Sequence, residues 1–313
     1  MTRRAALRHV GIQQHNSGNF GACQRMCIAR ILWAALALAL SAGCNGHGSA
    51  ARKPKLSETH RLLAVDLLKK KNPDGAIEEL VKALKYNPDN RKAHLTMGQV
   101  LFLQGVHAMN FVERTQCLKG QAAADQRNTA NERFRRAADH LRKSLTESDD
   151  TEKKTARSNT LNYLANIALH FKRYDEAIEL SNKALNNILY AARFHSLGTR
   201  GWAYFKKGNL DKAASDLRQA LFHQPRFCVG RYRLAKVYYA KKQYPQAIAE
   251  LTKVVNDKAC TFQDPHHLLG LAYSKTKQSE QARAHFDKCV ALNPRSCVGA
   301  ECRRYAKLIG QAP

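Results

Sequence analysis

The chain of 313 residues is 44% hydrophobic, and its 52 lysines and arginines exceed its 25 acidic residues to give a formal charge of +27. The length allows one large domain or two ordinary ones. The charge argues against a cationic partner and suggests a nucleic acid, an anionic lipid or an acidic protein, although long helical arrays are normally covered in charge.

The first 43 residues have the layout of a secretory signal. They contain five arginines and no acidic residue, and the apolar run 31–40 leads into the small residues Ser41, Ala42 and Gly43. This run is well short of the ~20 residues that a spanning helix needs, so a transmembrane helix is the weaker interpretation. Taking five charges from +27 leaves +22 for residues 44–313, so the basicity belongs to the folded part.

The sequence LALALSAGC, which ends at Cys44, resembles the lipobox of bacterial lipoproteins. The resemblance implies cleavage before Cys44 and a diacylglycerol on its sulfur, although Ser41 stands where leucine is commoner. Asn45 is not the aspartate that usually retains such proteins at the inner membrane, which favours an outer-membrane anchor facing the periplasm. Met26 begins a more compact signal, and we expect translation to start there. Residues 44–56, rich in Gly, Ser, Ala and Lys, predict a flexible tether.

Small residues recur along the rest of the chain at a spacing near 34. The first series is Ala64, Gly98, Ala165, Gly201, Ala235 and Gly270, and the second is Ala76, Ala137, Ala177, Ala213, Ala247 and Ala282. The two series are 12 residues apart in every repeat but the second. Because small residues let antiparallel helices approach closely, each repeat is predicted to be a helical hairpin. Pro88, Pro225 and Pro294 follow second helices and end them.

Several segments resemble the tetratricopeptide repeat. RYDEAIELSNKAL (173–185), 208–221 and 243–255 resemble its second helix, and GWAYFKKGNLDKA (201–213) resembles its first helix, turn and second-helix start. The resemblance implies an all-α, right-handed superhelical solenoid of about six hairpins over 57–295, followed by a capping helix and tail over 296–313. The six repeats, numbered 1 to 6 below, are placed at 57–90, 91–150, 158–191, 194–227, 228–261 and 263–295.

Repeat 2 departs from this pattern. About 27 extra residues, 106–132, separate its first helix from Phe134, where the second helix should begin. Their sequence looks helical, so we expect them to extend this hairpin beyond its neighbours. Insertions in solenoids map to one face and often contact partners, and a tolerated surface excursion is the alternative.

Six cysteines follow the lipobox, and export into an oxidising compartment makes disulfides possible. Cys228 opens repeat 5 and Cys260 closes it, and because the two ends of an antiparallel hairpin meet, this pair is a candidate bond worth ~3 kcal/mol in the chain-entropy model. Cys289 is either a buried small residue or the partner of Cys302. The sequence assigns no partner to Cys117 or to Cys297.

Motifs for chemistry are missing. The sequence has no nucleotide loop, nucleophile elbow or HExxH segment, and the repeats leave no length for a catalytic domain. Cys297 and Cys302 with scattered histidines do not form a zinc signature, and the adjacent His266 and His267 point in different directions on a helix. The sequence therefore predicts a protein that is not an enzyme, with no metal, cofactor or small-molecule substrate.

In a stack of such hairpins the first helices line a concave groove. Its predicted residues are Asn162, Tyr163, Asn166, His170, Trp202, Phe205, Lys206, Tyr232, Arg233, Lys236 and Tyr239. Asparagines can clamp a peptide backbone because they donate and accept together, while Trp202 and the tyrosines offer large contact areas with polar tips. The alternative for Trp202 and Tyr239 is packing between helices.

The order of signal, lipobox and six repeats resembles the PilF/PilW/Tgl group of type IV pilus pilotins. The resemblance implies a lipid-anchored scaffold that binds an outer-membrane secretin, or another envelope protein, and assists its localisation and assembly. The insertion, the cysteines and the basicity depart from that group. The alternative function is an NlpI-like adaptor that recruits periplasmic proteases or cell-wall hydrolases. Nucleic acid is not expected as a partner, since an exported lipoprotein would seldom meet it.

Overall fold

The computed structural model describes residues 53–145 and 150–310, within which thirteen α-helices and one π-helical turn account for all regular structure and no strand occurs. The signal, Cys44 and most of the predicted tether, residues 44–52, lie outside the described residues. In the described part no helix combines the length and apolarity that crossing a membrane requires. The predicted all-helical solenoid of hairpins with a C-terminal helix is confirmed.

Twelve of the helices pair as six antiparallel hairpins, and the thirteenth follows them. The hairpins are α1 (Pro54–Lys69) with α2 (Pro73–Tyr86), α3 (Arg91–Asn110) with α4 (Gly120–Ser144), α5 (Thr151–His170) with α6 (Tyr174–Leu185), α7 (Arg193–Lys206) with α8 (Leu210–His223), α9 (Cys228–Ala240) with α10 (Tyr244–Asn256), and α11 (Asp264–Lys275) with α12 (Ser279–Leu292). The last helix is α13 (Cys297–Gly310), and the π-helical turn Phe111–Thr115 continues α3.

Tight turns connect the two helices of every hairpin but the second. Each turn has one residue of positive φ, and these residues are Lys71, Lys172, Gly208, Lys242 and Lys277. The amide three residues after the end of each of these first helices donates to a carbonyl five residues earlier, as Asn72 does to Leu67 and Asn209 to Tyr204. This pairing ends a helix by satisfying its last carbonyls. The short turns hold the two helices of a hairpin antiparallel.

Close packing within the hairpins depends on the small residues of the two series, all twelve of which are buried. A Cβ on Gly98 would lie 2.6 Å from Cγ of Leu141, and one on Gly270 would lie 2.5 Å from Cε1 of Phe286. Both distances are below van der Waals contact, so the larger side chain of the second helix occupies the space that the glycine leaves. The spacing of small residues in the sequence therefore marks the contact line of each hairpin.

Three disulfides lie in the described residues. Cys228 bonds to Cys260 across the open end of repeat 5, with Cα atoms 5.6 Å apart, and Cys289 bonds to Cys302 between α12 and α13. The third bond joins Cys117 to Cys297. Among the described residues, Cys228, Cys260 and Asp257 bring three ligand-type atoms within 4.8 Å of one another. The two sulfurs of this group are already bonded to each other.

Two pairs of histidines face each other inside hairpins. The Nδ1 atoms of His94 and His140 are 2.8 Å apart in repeat 2, and those of His266 and His285 are 3.0 Å apart in repeat 6. Burial, and then the neighbouring histidine, lowers the pKa of His140 and of His285 from 6.5 to about 4. Between those values the unfolded chain binds more protons than the folded one. The stability that these rings contribute is therefore present above pH 6.5 and is lost as the pH falls through about 4.

We expect the thermal midpoint of the chain to fall by roughly 5 °C or more between pH 7 and pH 4.5. A His140→Gln, His285→Gln variant keeps an amide donor at each position without a proton to gain, so its midpoint should depend less on pH. His223→Gln, which changes an exposed histidine, is the control. A variant that retains the full pH dependence of the parent chain would show that carboxylates, and not these pairs, cause the loss.

Candidate functional site

A cavity of about 260 Å³ lies on the side of the array that the first helices form. Its walls come from α3, α5, α7 and α9, with one residue from α4, and we call this cavity with its rim the basin. The lining residues are Phe102, Val106, Met109, Asn110, Phe134, Asn166, Leu169, His170, Trp202 and Arg233. Because α3 and α9 belong to repeats 2 and 5 and line one cavity, the array curves around it.

One wall of the basin is apolar and aromatic. Phe102 of α3 packs edge-on against Phe134 of α4, with ring centroids 5.7 Å apart, and Phe134 lies 4.3 Å from the ring of His170. The Nε2 atom of His170 is 2.7 Å from Oδ1 of Asn131. Burial lowers the pKa of His170, which favours the neutral ring. This wall therefore offers contact area without charge.

The opposite wall is centred on Trp202. Its indole stacks on Phe205 with centroids 4.6 Å apart and planes 12° from parallel. The charged groups of Lys206, Arg233 and Lys236 lie 5.2, 5.3 and 5.6 Å from the indole centroid. Each lies within the range of a cation–π interaction. The aromatic and basic groove residues of repeats 4 and 5 therefore form one cluster.

The three cations have no ion pair within the described part of the chain. Arg233 donates through Nη1 to the carbonyl of Gly198 at 3.1 Å, which ties α9 to α7. Burial, and after it the positive charge of Arg114, lowers the pKa of Arg233 from 12.5 to about 10. Burial and then Lys206 also lower the pKa of Lys236. With a pKa of about 10, Arg233 stays protonated near neutral pH, and three basic side chains around one indole make this wall positive.

The two groove tyrosines of repeat 5 differ in their surroundings. Tyr232 meets Phe262 edge-on at 5.5 Å and lies under the ammonium of Lys236 at 5.7 Å, so it belongs to the rim of the Trp202 cluster. Burial, and then the charge of Asp264, raises the pKa of Tyr232. Tyr239 instead packs against Tyr244 of the same hairpin at 5.3 Å and against the core of repeats 5 and 6.

The groove residues of repeat 3 are engaged in contacts between helices. Asn166 donates through Nδ2 to Oγ1 of Thr199 at 3.1 Å, and Thr199 donates to Oδ1 of Asn162 at 3.2 Å. Tyr163 packs edge-on against Phe102 at 5.1 Å. The two asparagines thus join α5 to α7, and of the three residues only Asn166 lines the basin.

The insertion does more than lengthen a hairpin. It extends the first helix of repeat 2 into the turn Phe111–Thr115 and then starts α4 early, at Gly120. The segment 111–119, which we call the strap, reaches the C-terminal end of the array. Asn293 donates to the carbonyl of Arg114 at 2.7 Å, Arg114 lies 3.5 Å from Asp264, and Cys117 bonds to Cys297 with Cα atoms 4.5 Å apart. The strap therefore joins repeat 2 directly to repeat 6 and α13.

The groove predicted from the sequence omits two features that the structure shows at this site. The first is Arg114, which adds positive charge to Tyr232, Arg233 and Lys236 from a position outside the repeat pattern. The second is the bond between Cys117 and Cys297. The number of cysteines could have indicated this bond. If Cys228 pairs with Cys260 and Cys289 with Cys302, the two that remain of the six are Cys117 and Cys297.

Comparison with known proteins identifies the repeats. A family model described as tetratricopeptide repeat matches residues 61–108 and 199–261, and a second model of that description matches 264–296. The chain therefore contains tetratricopeptide repeats. No curated protein matches the chain by sequence.

Solved structures share the fold at low sequence identity. PilW, described as a widely conserved type IV pilus biogenesis factor, is 19% identical with a TM-score of 0.58, over 80% of this chain and 99% of that one. PilF of Pseudomonas aeruginosa is 16% identical with a TM-score of 0.54, over 80% and 97%. A chain of the APC/C hetero-tetramer Cut9–Hcn1 is 16% identical with a TM-score of 0.58, over 82% of this chain and 43% of that one. At these identities the likeness establishes the fold alone.

Proposed function

We propose that the chain is a lipid-anchored, protein-binding scaffold that acts as a pilotin for an outer-membrane secretin. In this proposal the lipid on Cys44 holds the protein at the outer membrane facing the periplasm, and the basin holds a segment of the partner. The chain acts by binding and positioning its partner and catalyses no reaction.

The observation that carries the proposal is the basin itself. Trp202, Phe205 and Tyr232 supply aromatic contact area, and Lys206, Arg233 and Lys236 supply charges without ion pairs in the described residues. Protein interfaces are enriched in aromatic residues and arginine, and a few such residues carry most of the binding energy. The cluster is partly buried and has the composition of a protein interface. This composition supports the basin as the site where a partner binds.

The share of each solved structure that this chain matches supports the pilus role over other scaffold roles. PilW and PilF are covered over 99% and 97% of their lengths, whereas the chain of the Cut9–Hcn1 complex is covered over 43%. The array of repeats seen here therefore corresponds to nearly the whole of the PilW and PilF structures, and to less than half of the chain from the Cut9–Hcn1 complex. Signal, lipobox-like SAGC and six repeats also stand in the order expected for a pilotin.

Deletion of the gene tests the proposal. We expect the deletion strain to lose heat-resistant secretin multimers and surface pili, and complementation with the full chain to restore both. A Cys44→Ala chain should incorporate no labelled lipid, leave the membrane fraction and restore multimers at most partly. A Cys27→Ala chain, which changes a cysteine upstream of the lipobox, is the control and should behave like the parent.

Secretin multimers at parental levels in the deletion strain would contradict the pilotin role. Proteases or cell-wall hydrolases that then co-purify with the chain would support the adaptor function instead. Continued lipid labelling of the Cys44→Ala chain would contradict the assigned anchor. The two results are independent, so the anchor and the partner are tested separately.

A further inference from the structure

The basin places a positive wall opposite an apolar wall. Arg233 of α9 and Phe102, Phe134 and Leu169 of the other wall line the same cavity of about 260 Å³. Lys206 and Lys236 extend the positive wall at the rim, with their ammonium groups 5.2 and 5.6 Å from the centroid of the same indole. A group that fills this space meets hydrocarbon on one side and positive charge on the other.

The positive charges of this wall lack a neutralising acidic group in the described part of the chain. Lys206, Arg233 and Lys236 share one indole ring, and the charge of Arg114 adds to theirs. Like charges at these separations repel one another, and partial burial removes some of the water that would screen them. Asp264 is the acidic group that acts on both Tyr232 and Lys236, and it is already engaged with Arg114 at 3.5 Å. An anion brought by a ligand would relieve this repulsion.

We propose that the basin binds an acidic polypeptide segment, with an Asp or Glu carboxylate on Arg233 and Lys236 and a neighbouring apolar side chain against Phe102, Phe134 and Leu169. The inference rests on the proposed function and specifies the chemistry of the partner at that same site. Arg233 has a planar guanidinium whose geometry matches a carboxylate, and Lys236 and Lys206 act as point charges beside it.

The shape of the site favours a peptide carboxylate over a nucleic acid. Bases bind proteins by stacking on aromatic faces, but Trp202 already stacks on Phe205 and is approached by three cations. The apolar wall of α3, α4 and α5 would leave sugar and phosphate groups without partners. An acidic residue next to a leucine or phenylalanine satisfies both walls.

Intrinsic fluorescence tests the inference, because the sequence has two tryptophans, Trp33 and Trp202. The full chain carrying Trp33→Phe, held in a non-ionic detergent, therefore reports on the basin alone. The probes are three capped hexapeptides: Gly-Leu-Leu-Glu-Glu-Gly, the same peptide with glutamine for both glutamates, and the same peptide with serine for both leucines. Octanoate is a fourth probe, for a fatty-acid ligand.

We expect the acidic apolar peptide to bind at least tenfold more tightly than the glutamine or the serine peptide, with an affinity that falls as salt rises. Arg233→Gln with Lys236→Gln should remove the preference for glutamate over glutamine. The matched control, Arg218→Gln with Lys258→Gln, loses the same charge from exposed positions outside the basin and should keep it. Lys206→Gln removes an exposed charge at the rim and should reduce the preference about threefold. This single variant keeps the test informative if the double variant does not fold.

Equal affinities of the glutamate and glutamine peptides for the parent chain would overturn the inference. So would a preference for glutamate that persists in the folded Arg233, Lys236 double variant. Octanoate that binds more tightly than the acidic peptide would assign the basin to fatty acids instead. If these results overturn the inference while the deletion strain still lacks secretin multimers, the pilotin role stands and the segment that the partner presents is not an acidic one.

Discussion

A chain with Cys117→Ser and Cys297→Ser is expected to lose about 5 kcal/mol of unfolding free energy, because this bond closes by far the longest loop. The two cysteines are 180 residues apart, against 32 for Cys228 and Cys260 and 13 for Cys289 and Cys302. In the chain-entropy model the cost of joining two residues in the unfolded chain grows with the logarithm of their separation. The bond across the strap therefore restricts the unfolded chain most.

The strap bond also changes how the array unfolds. In a stack of repeats each unit contacts its neighbours alone, so an array can open from either end. The bond from Cys117 to Cys297 joins repeat 2 to α13, and the contact of Asn293 with Arg114 supports it. Without this connection, the C-terminal repeats should open at lower denaturant concentrations than the rest.

Urea unfolding followed by circular dichroism measures both effects. The control, Cys289→Ser with Cys302→Ser, opens a short loop between neighbouring helices and should cost about 3 kcal/mol without broadening the transition. Small-angle scattering should give a larger radius of gyration for the strap variant alone. If both variants unfold at the same midpoint with the same steepness, the strap does not couple the two ends of the array.

The hairpins could be predicted from the sequence because their determinants are local. Gly98 faces Leu141 and Gly270 faces Phe286 in the same way, and this requirement for a small residue recurs with each repeat. The turns repeat as well, with Lys71 and Lys277 in the same conformation at equivalent positions. A constraint that recurs in every unit leaves a period in the sequence, and the period gives the fold.

The basin could be predicted only in part. The positions of Trp202 and Arg233 on successive first helices were enough to place both on the inner side of the array. The position of Asn166 was equally clear, but its hydrogen bond to Thr199 depends on how closely α5 and α7 approach. Periodicity shows which face a side chain occupies, and not whether a neighbouring helix already satisfies its polar atoms.

The strap was not predicted because its contacts skip the repeats in between. The period of a solenoid encodes contacts between neighbours, and the contacts of Arg114 and Cys117 with Asp264, Asn293 and Cys297 span about half of the chain. The helical character of 106–132 indicated a longer hairpin, which is present. The direction in which the strap crosses the array depends on the curvature of the array. No local pattern in the sequence of the insertion specifies that curvature.

Replacement of Trp202 by alanine is expected to weaken partner binding by about 3 kcal/mol, roughly a hundredfold. The indole joins the basic cluster to the apolar wall: it lines the cavity, stacks on Phe205 and lies within 6 Å of three cations. Its loss removes contact area and lets Lys206 and Lys236 move. Tyr239 is a poorer choice, because it packs on Tyr244 and on the core, and its truncation would disturb folding as well as binding.

Secretin that co-purifies with the tagged chain, measured over a dilution series, gives the effect, and circular dichroism establishes that each variant is folded. Trp202→Phe keeps an aromatic ring and should lose about half of the binding free energy that alanine loses. Phe222→Ala removes a large aromatic side chain that is 84% exposed on the second helix of repeat 4, so it is the matched control and should bind as the parent does. The two substitutions remove comparable ring area from the two sides of one hairpin. If secretin co-purifies undiminished with the Trp202→Ala chain and is lost from the Phe222→Ala chain, the partner binds the second helices and not the basin.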